Sequence, residues 1–116
     1  MPSTEEVLRH HSEAFGTGNV DEFLADYTDD SILFTPEGAT HGLASLRPVF
    51  TALLGEFSKP GGSFTMHKQI VEGDIAYLVW SAETADNVYE LASDTFVIRD
   101  GKIIYHTFVA KMTPKS

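Results

Sequence analysis

The chain has no cysteine. That excludes a disulfide framework, a thiolate metal site and a cysteine nucleophile. Positive charge is scarce: 8 Lys and Arg stand against 17 Asp and Glu, a net charge of −9. The cations are scattered singly. Phosphate binding needs clustered Lys and Arg, so neither nucleic acid nor an anionic membrane is an expected partner. No apolar run approaches the ~20 residues that cross a bilayer. The opening Met1-Pro-Ser-Thr-Glu-Glu is polar and acidic, unlike a signal peptide. The expectation is a cytoplasmic protein. There is also no P-loop, dinucleotide-binding glycine pattern, H-E-x-x-H or serine elbow, so no cofactor and no metal is expected.

What is present suits one domain, residues 1–116, with a 42% apolar composition and enough length for a single core. Residues 3 to 16 read as a helix. Ser3 and Glu6 fit a capping box, and Val7, Leu8, His11, Ala14 and Phe15 form one stripe at helical spacing. Gly16 and Gly18 end it. Asn19 caps a second helix whose buried face is Val20, Phe23, Leu24 and Tyr27, with Asp29-Asp30 marking its exit. Ser31 to Thr35 is a short strand closed by Pro36-Glu37-Gly38. A third helix runs over 42 to 57, and Pro48 predicts a kink or a start later than Gly42. Beyond Pro60-Gly61-Gly62 the period changes to two, giving strands over 63–72, 74–84, 88–99 and 102–112. Helices followed by a meander predict an α+β fold with the helices gathered on one sheet face.

Several segments carry a resemblance. They are Phe15-Gly-Thr-Gly-Asn-Val-Asp-Glu-Phe, Tyr27-Thr-Asp-Asp-Ser-Ile-Leu-Phe-Thr-Pro, His41-Gly-Leu-Ala-Ser-Leu and Asp94-Thr-Phe-Val-Ile-Arg-Asp-Gly-Lys-Ile. Together they resemble the nuclear transport factor 2-like superfamily, in its SnoaL-like and ketosteroid-isomerase-like branch, over nearly the whole chain. The resemblance implies a cone-shaped α+β barrel, a cystatin-like roll, with three N-terminal helices packed in the concave face of a curved, mainly antiparallel sheet. It does not choose among the functions this fold hosts, which include isomerases, cyclases, dehydratases and plain binding domains.

Asp94 is the first candidate for chemistry. It lies mid-strand among Leu91, Ala92, Phe96 and Val97, where a carboxylate is costly unless paired or protonated. Either it faces solvent or it is a pocket acid or base. Its relation to His106 depends on the hairpin. A two-residue Asp100-Gly101 turn puts the two residues on opposite faces. A type I turn over Arg99-Asp100-Gly101 with a glycine bulge sets Asp94 directly across from His106 and Phe96 opposite Ile104. The second register is preferred, because it makes one mostly apolar face of Asp94, Phe96, Ile98, Ile104, His106, Phe108 and Ala110. The carboxylate would then orient the imidazole.

His11 is the second candidate, read either as a satisfied core histidine or as a pocket group. The resemblance implies the latter: His11 falls where ketosteroid isomerases carry a donating tyrosine, and Asp94 where they carry a protonated aspartic acid. Thr35 takes the position of their general base. Threonine cannot abstract a carbon-bound proton, so classical ketosteroid isomerisation is not expected. His10 and His41 read as surface residues, and His67 as outward unless its strand is inverted.

Phe15, Tyr27, Phe34, Phe57, Trp80, Phe96 and Phe108 are the expected pocket walls. The opposite face of the last two strands, with Thr95, Val97, Tyr105, Thr107 and Val109, is too apolar for open water, which predicts a homodimer through the sheet. The expected function is a SnoaL-like enzyme using proton transfer on a small apolar carbonyl compound, with Asp94, His106 and His11 as catalytic residues. The alternatives are a non-catalytic binding domain for a small hydrophobic ligand and a protein-interaction scaffold, the last predicting a filled cone with no cavity.

Overall fold

A computed structural model describes residues 2–115. The elements run α1 (Thr4–Thr17), α2 (Val20–Leu24), β1 (Tyr27–Thr35), β2 (Gly38–His41), α3 (Gly42–Phe57), β3 (Ser63–Glu72), β4 (Ile75–Glu83), β5 (Asn87–Arg99) and β6 (Lys102–Pro114). The strands form one six-stranded sheet in the order β2-β1-β6-β5-β4-β3. Every pairing is antiparallel except β1 with β6. Register shifts interrupt four of these ladders. Such bulges bend and twist a strand, and here they accompany a strongly curved sheet. The sheet stays open between its edges β2 and β3, so the cone is a roll and not a closed barrel.

The helices form where their caps place them. Ser3 Oγ accepts from Glu6 N–H and Ser3 N–H donates to the Glu6 carboxylate, closing the capping box. Gly18 ends α1 at φ 69°, where its N–H returns to the carbonyls of Ala14 and Phe15. Asn19 caps α2 through Glu22 N–H. Val7, Leu8, His11 and Ala14 of α1, Phe23 and Leu24 of α2, and Leu46, Phe50 and Leu54 of α3 are buried toward the sheet. Burying the valine, leucine and phenylalanine side chains among them contributes roughly 1.5–3 kcal/mol each.

Three expectations need correction. The first strand begins at Tyr27, so Tyr27 belongs to the sheet and Asp29-Asp30 lies within a strand. The Pro36-Glu37 turn leads into β2, which pairs with β1 from Thr35↔Gly38 to Ile32↔His41. Four residues, Gly-Ala-Thr-His, are too short and too weakly apolar to show a period of two. The helix α3 starts at Gly42 and contains Pro48, which removes the later start from the two alternatives.

The final hairpin is the fourth correction. Asp100 and Gly101 both have positive φ, 52° and 75°, and Arg99 pairs with Lys102. This is a two-residue turn of the mirror-image type I class, which Asp-Gly favours. On its own it would send His106 outward. A bulge between Ile98↔Ile103 and Val97↔Tyr105 inserts one extra residue, Ile104, and returns His106 to the inner face. Phe96 therefore lies opposite His106 and Asp94 opposite Phe108, with Ile103 in the core where Ile104 was expected.

Candidate functional site

The inner face of the sheet carries a run of buried polar groups. In β5, Asp94 sits beside Leu78 of β4, so Trp80, two residues further on, reaches it diagonally: Trp80 Nε1–H donates to Asp94 Oδ2 at 2.7 Å. On the other side His106 is the diagonal neighbour, and its Nε2 lies 2.6 Å from Asp94 Oδ1. The same imidazole meets the Tyr27 hydroxyl through Nδ1 at 2.8 Å. Four strands thus contribute one residue each to a chain Trp80–Asp94–His106–Tyr27. Asp94 and His106 are both buried, which a carboxylate tolerates only with this degree of pairing. Burial first, then the Asp94 and Asp26 carboxylates, pushes the Tyr27 phenol well above its ordinary pKa. Tyr27 therefore remains a neutral O–H.

His11 joins this cluster from α1. Its ring lies 3.9 Å from that of Phe23, 5.2 Å from Phe96 and 6.3 Å from His106, centroid to centroid. Burial pulls its pKa down, partly opposed by Asp26. His11 Nδ1 is 3.5 Å from Asp26 Oδ2 and is the one buried side-chain nitrogen or oxygen without a hydrogen-bond partner among the described residues.

Asp26 went unread in the sequence. It follows α2 directly, is buried, and its two oxygens lie 2.8 and 2.9 Å from His10 Nδ1. His10 Nε2 in turn meets Glu22 at 3.0 Å. His10 is thus no simple surface residue. Glu22 first, then Asp26, raise its pKa. In an acid-rich segment, Ala25-Asp26-Tyr27-Thr28-Asp29-Asp30, nothing in composition separates the buried acid from its exposed neighbours. The one available signal was position, since Asp26 sits between the buried Leu24 and Tyr27.

The expected pocket residues separate into groups. Tyr27, Trp80 and Phe96 are buried on the inner face, which also settles that Trp80, Leu78 and Ala82 point inward and Tyr77, Val79 and Ser81 outward. Phe15, Phe57 and Phe108 are half-buried around the same interior: Phe15 packs on Phe57 at 5.0 Å, and Phe57 and Phe108 flank Trp80 at 5.9 and 6.2 Å. Phe34 is not among them. Leu33 takes the inner position, so Phe34 is 42% exposed on the outer face against Tyr105. His67 also faces outward, bonded to Ser81. Thr35 Oγ1 accepts from Glu37 N–H and serves the turn. His41 ends β2 without a side-chain cap bond.

Depressions on the surface include two of moderate size. One of about 310 Å³ lies between α1 and β3, lined by Glu5, Leu8, Arg9, Ser12 and Gln69. Another of about 250 Å³ lies along β3, β4 and β5. Neither is lined by Asp94 or His106. Among the described residues no three His, Asp or Glu side chains gather as metal ligands, and no helix is long and apolar enough to cross a membrane.

A family described as the SnoaL-like domain matches residues 8–106. No curated protein matches. Among solved structures, the epoxide hydrolase/cyclase-like enzyme SalBIII, of pyran ring formation in the polyether salinomycin, is similar with TM-score 0.80 and 14% identity, over 97% of this chain and 95% of that one. A candidate ketosteroid isomerase from Kribbella flavida gives TM-score 0.75 and 16% identity, over 97% and 81%. A candidate polyketide cyclase from Sinorhizobium meliloti gives TM-score 0.72 and 14% identity, over 93% and 94%. At these identities the likeness is one of fold.

Proposed function

Because the chain belongs to the SnoaL-like domain family, we propose that it acts on a small, mainly apolar, carbonyl-bearing compound by general acid–base proton transfer, as an isomerase, cyclase or dehydratase. The observation that carries this reading is the buried run Trp80–Asp94–His106–Tyr27, joined by contacts of 2.6 to 2.8 Å. A pure hydrophobic carrier has no need of buried ionisable groups, whereas proton transfer depends on them.

The chemistry follows from the proton positions. With His106 neutral and its Nε2–H held by Asp94, Nδ1 accepts from the Tyr27 hydroxyl. With His106 protonated, Nδ1–H donates to the Tyr27 oxygen, and the phenol O–H is released to donate to a substrate carbonyl. One proton on His106 thus redirects the Tyr27 hydroxyl. Asp94 and His106 share the acid–base work, His11 meets the substrate from the helix side, and Phe15, Phe57, Trp80 and Phe108 supply the apolar wall. No cofactor enters these steps.

The test is exchange of α-hydrogens of small cyclic ketones and enones in D₂O, followed by NMR. Exchange above the buffer rate is expected, with roughly 100-fold or greater loss in Asp94→Asn and His106→Gln and none in His67→Gln. Equal rates in all four proteins would refute the proposal. A second reading, a non-catalytic binding domain for a small hydrophobic ligand, is favoured by one observation: every group in the run already has a partner inside the protein. It predicts ligand binding with no exchange.

We also propose a homodimer through the outer sheet face, where Tyr77, Leu91, Tyr105 and Val109 are 41%, 53%, 42% and 54% exposed. Analytical ultracentrifugation is expected to give a dimer that Tyr105→Glu with Val109→Glu converts to a monomer. A wild-type monomer at micromolar concentration contradicts it.

A further inference from the structure

We propose that Asp26 is a positioning residue that holds His11 in its Nδ1–H tautomer, so that His11 offers Nε2 as a proton acceptor within the aromatic cluster. The inference deepens the proposed function and rests on its reading of His11 as the group that meets substrate.

Asp26 Oδ2 lies 3.5 Å from His11 Nδ1, an ion-pair distance at which no hydrogen bond has closed. An unprotonated Nδ1 there would face its lone pair toward a carboxylate oxygen, which is repulsive. An N–H in the same place is attracted, and an approach of roughly half an ångström makes it a hydrogen bond. Burial keeps His11 neutral, and a neutral imidazole carries a single N–H. If that hydrogen is on Nδ1, Nε2 is bare.

The surroundings agree. The groups facing His11 are Asp26 at the α2–β1 junction, Tyr27 of β1, Asp94 of β5 and His106 of β6, with the rings of Phe23 and Phe96 between them. Of the two carboxylates, Asp94 is taken up by Trp80 and His106. That leaves Asp26 to orient His11. On its far side His10 places one nitrogen on Asp26 and the other on Glu22, an arrangement in which a doubly protonated His10 satisfies both acids. His10 thus occupies the outward side of Asp26, and Oδ2 is left facing His11 Nδ1.

The consequence is a division of labour. A carbon-bound proton of the substrate passes to His11 Nε2, and the electron pair left on carbon moves to the carbonyl oxygen. A hydrogen bond or proton from the Tyr27–His106 side meets the charge on that oxygen. His11 then returns its proton to another carbon, or gives it to a departing hydroxyl. Nothing is oxidised or reduced, and the imidazole is regenerated.

The tautomer can be read in full-length protein labelled with ¹⁵N at histidine, from long-range ¹H–¹⁵N correlations at a pH where His11 is neutral. The expected result is a pyrrole-like Nδ1 and a pyridine-like Nε2 at His11, exchanging places in Asp26→Ala as the ring reverts to the Nε2–H form. A wild-type His11 already in the Nε2–H form overturns the inference, as does an Asp26→Ala protein that retains Nδ1–H. If Asp26→Ala does not fold, the wild-type spectrum decides alone. The ketone exchange assay separates the two claims. Exchange with an Nε2–H His11 removes Asp26's role and leaves the proposed function standing. An Nδ1–H His11 without exchange does the reverse.

Discussion

The two carboxylate–imidazole pairs of this cone share one aromatic cluster and are built in opposite ways. Asp94 and His106 are held by strands of one sheet, and every polar atom between Trp80 and Tyr27 is taken up at 2.6 to 2.8 Å. Asp26 and His11 are held by a helix and the end of another, 3.5 Å apart, with His11 Nδ1 unpartnered and the closest bonds of Asp26 directed outward to His10. Cross-strand neighbours are set by the ladder to within a narrow distance, so a sheet can close a polar run tightly. A helix resting on rings has no such ruler. The sheet half of the site is therefore closed within the protein, whereas the helix half keeps one buried nitrogen, His11 Nδ1, without a hydrogen-bond partner.

Removing each carboxylate is the sharpest way to test that contrast. Asp94→Ala leaves the Trp80 and His106 N–H groups buried without partners, and urea unfolding is expected to show a loss of about 3–5 kcal/mol. Asp26→Ala removes a half-exposed bond to His10 and an unclosed contact to His11, with an expected loss of about 1–3 kcal/mol. Equal losses would erase the distinction. Smaller effects come from pH, and their signs differ. His10 has a folded pKa above its ordinary 6.5, so its stabilisation is fully present below that value and is lost as pH rises through the folded pKa. Its ring is 39% exposed, which limits the effect to under about 1 kcal/mol. His11 has a folded pKa below 6.5, so its stabilising share is present above 6.5 and falls away as pH drops toward the folded pKa. Melting curves should show His10→Gln costing more at pH 5.5 than at pH 8.5, and His11→Phe flattening the acid side of the wild-type profile. The same sign in both variants would contradict the account. The smallest effect belongs to His67→Gln on the outer face, within about 0.5 kcal/mol of wild type by the same unfolding.

Much of this was legible in the chain. The capping box at Ser3, the α1 stripe and the four late strands are local patterns, and local patterns determined them. Asp94 and His106 do share a face, but for a different reason than expected. The turn is the two-residue one, and a bulge at Ile104 restores the alignment. Bulges answer to the curvature of the whole sheet, which no dipeptide announces. Phe34 was misplaced because a strand read as starting at Ser31 gives no partner to fix its faces, while pairing with β6 sets Leu33 inward. Asp26 was missed because its burial depends on α2 stopping at Leu24 and on His10 arriving from another helix. Contacts between elements decide such residues, and the spacing of a single element does not contain them.

The central claim, that the cone interior at Asp94 receives a ligand, can be tested with a reporter already in place. Trp80 is the one tryptophan in the chain, and its indole N–H lies on Asp94. Its fluorescence should change saturably on titration with small cyclic enones, and Asp94→Asn should weaken that response. A wild-type protein whose Trp80 emission stays unchanged across the panel would contradict the account, leaving the buried run as part of the scaffold alone.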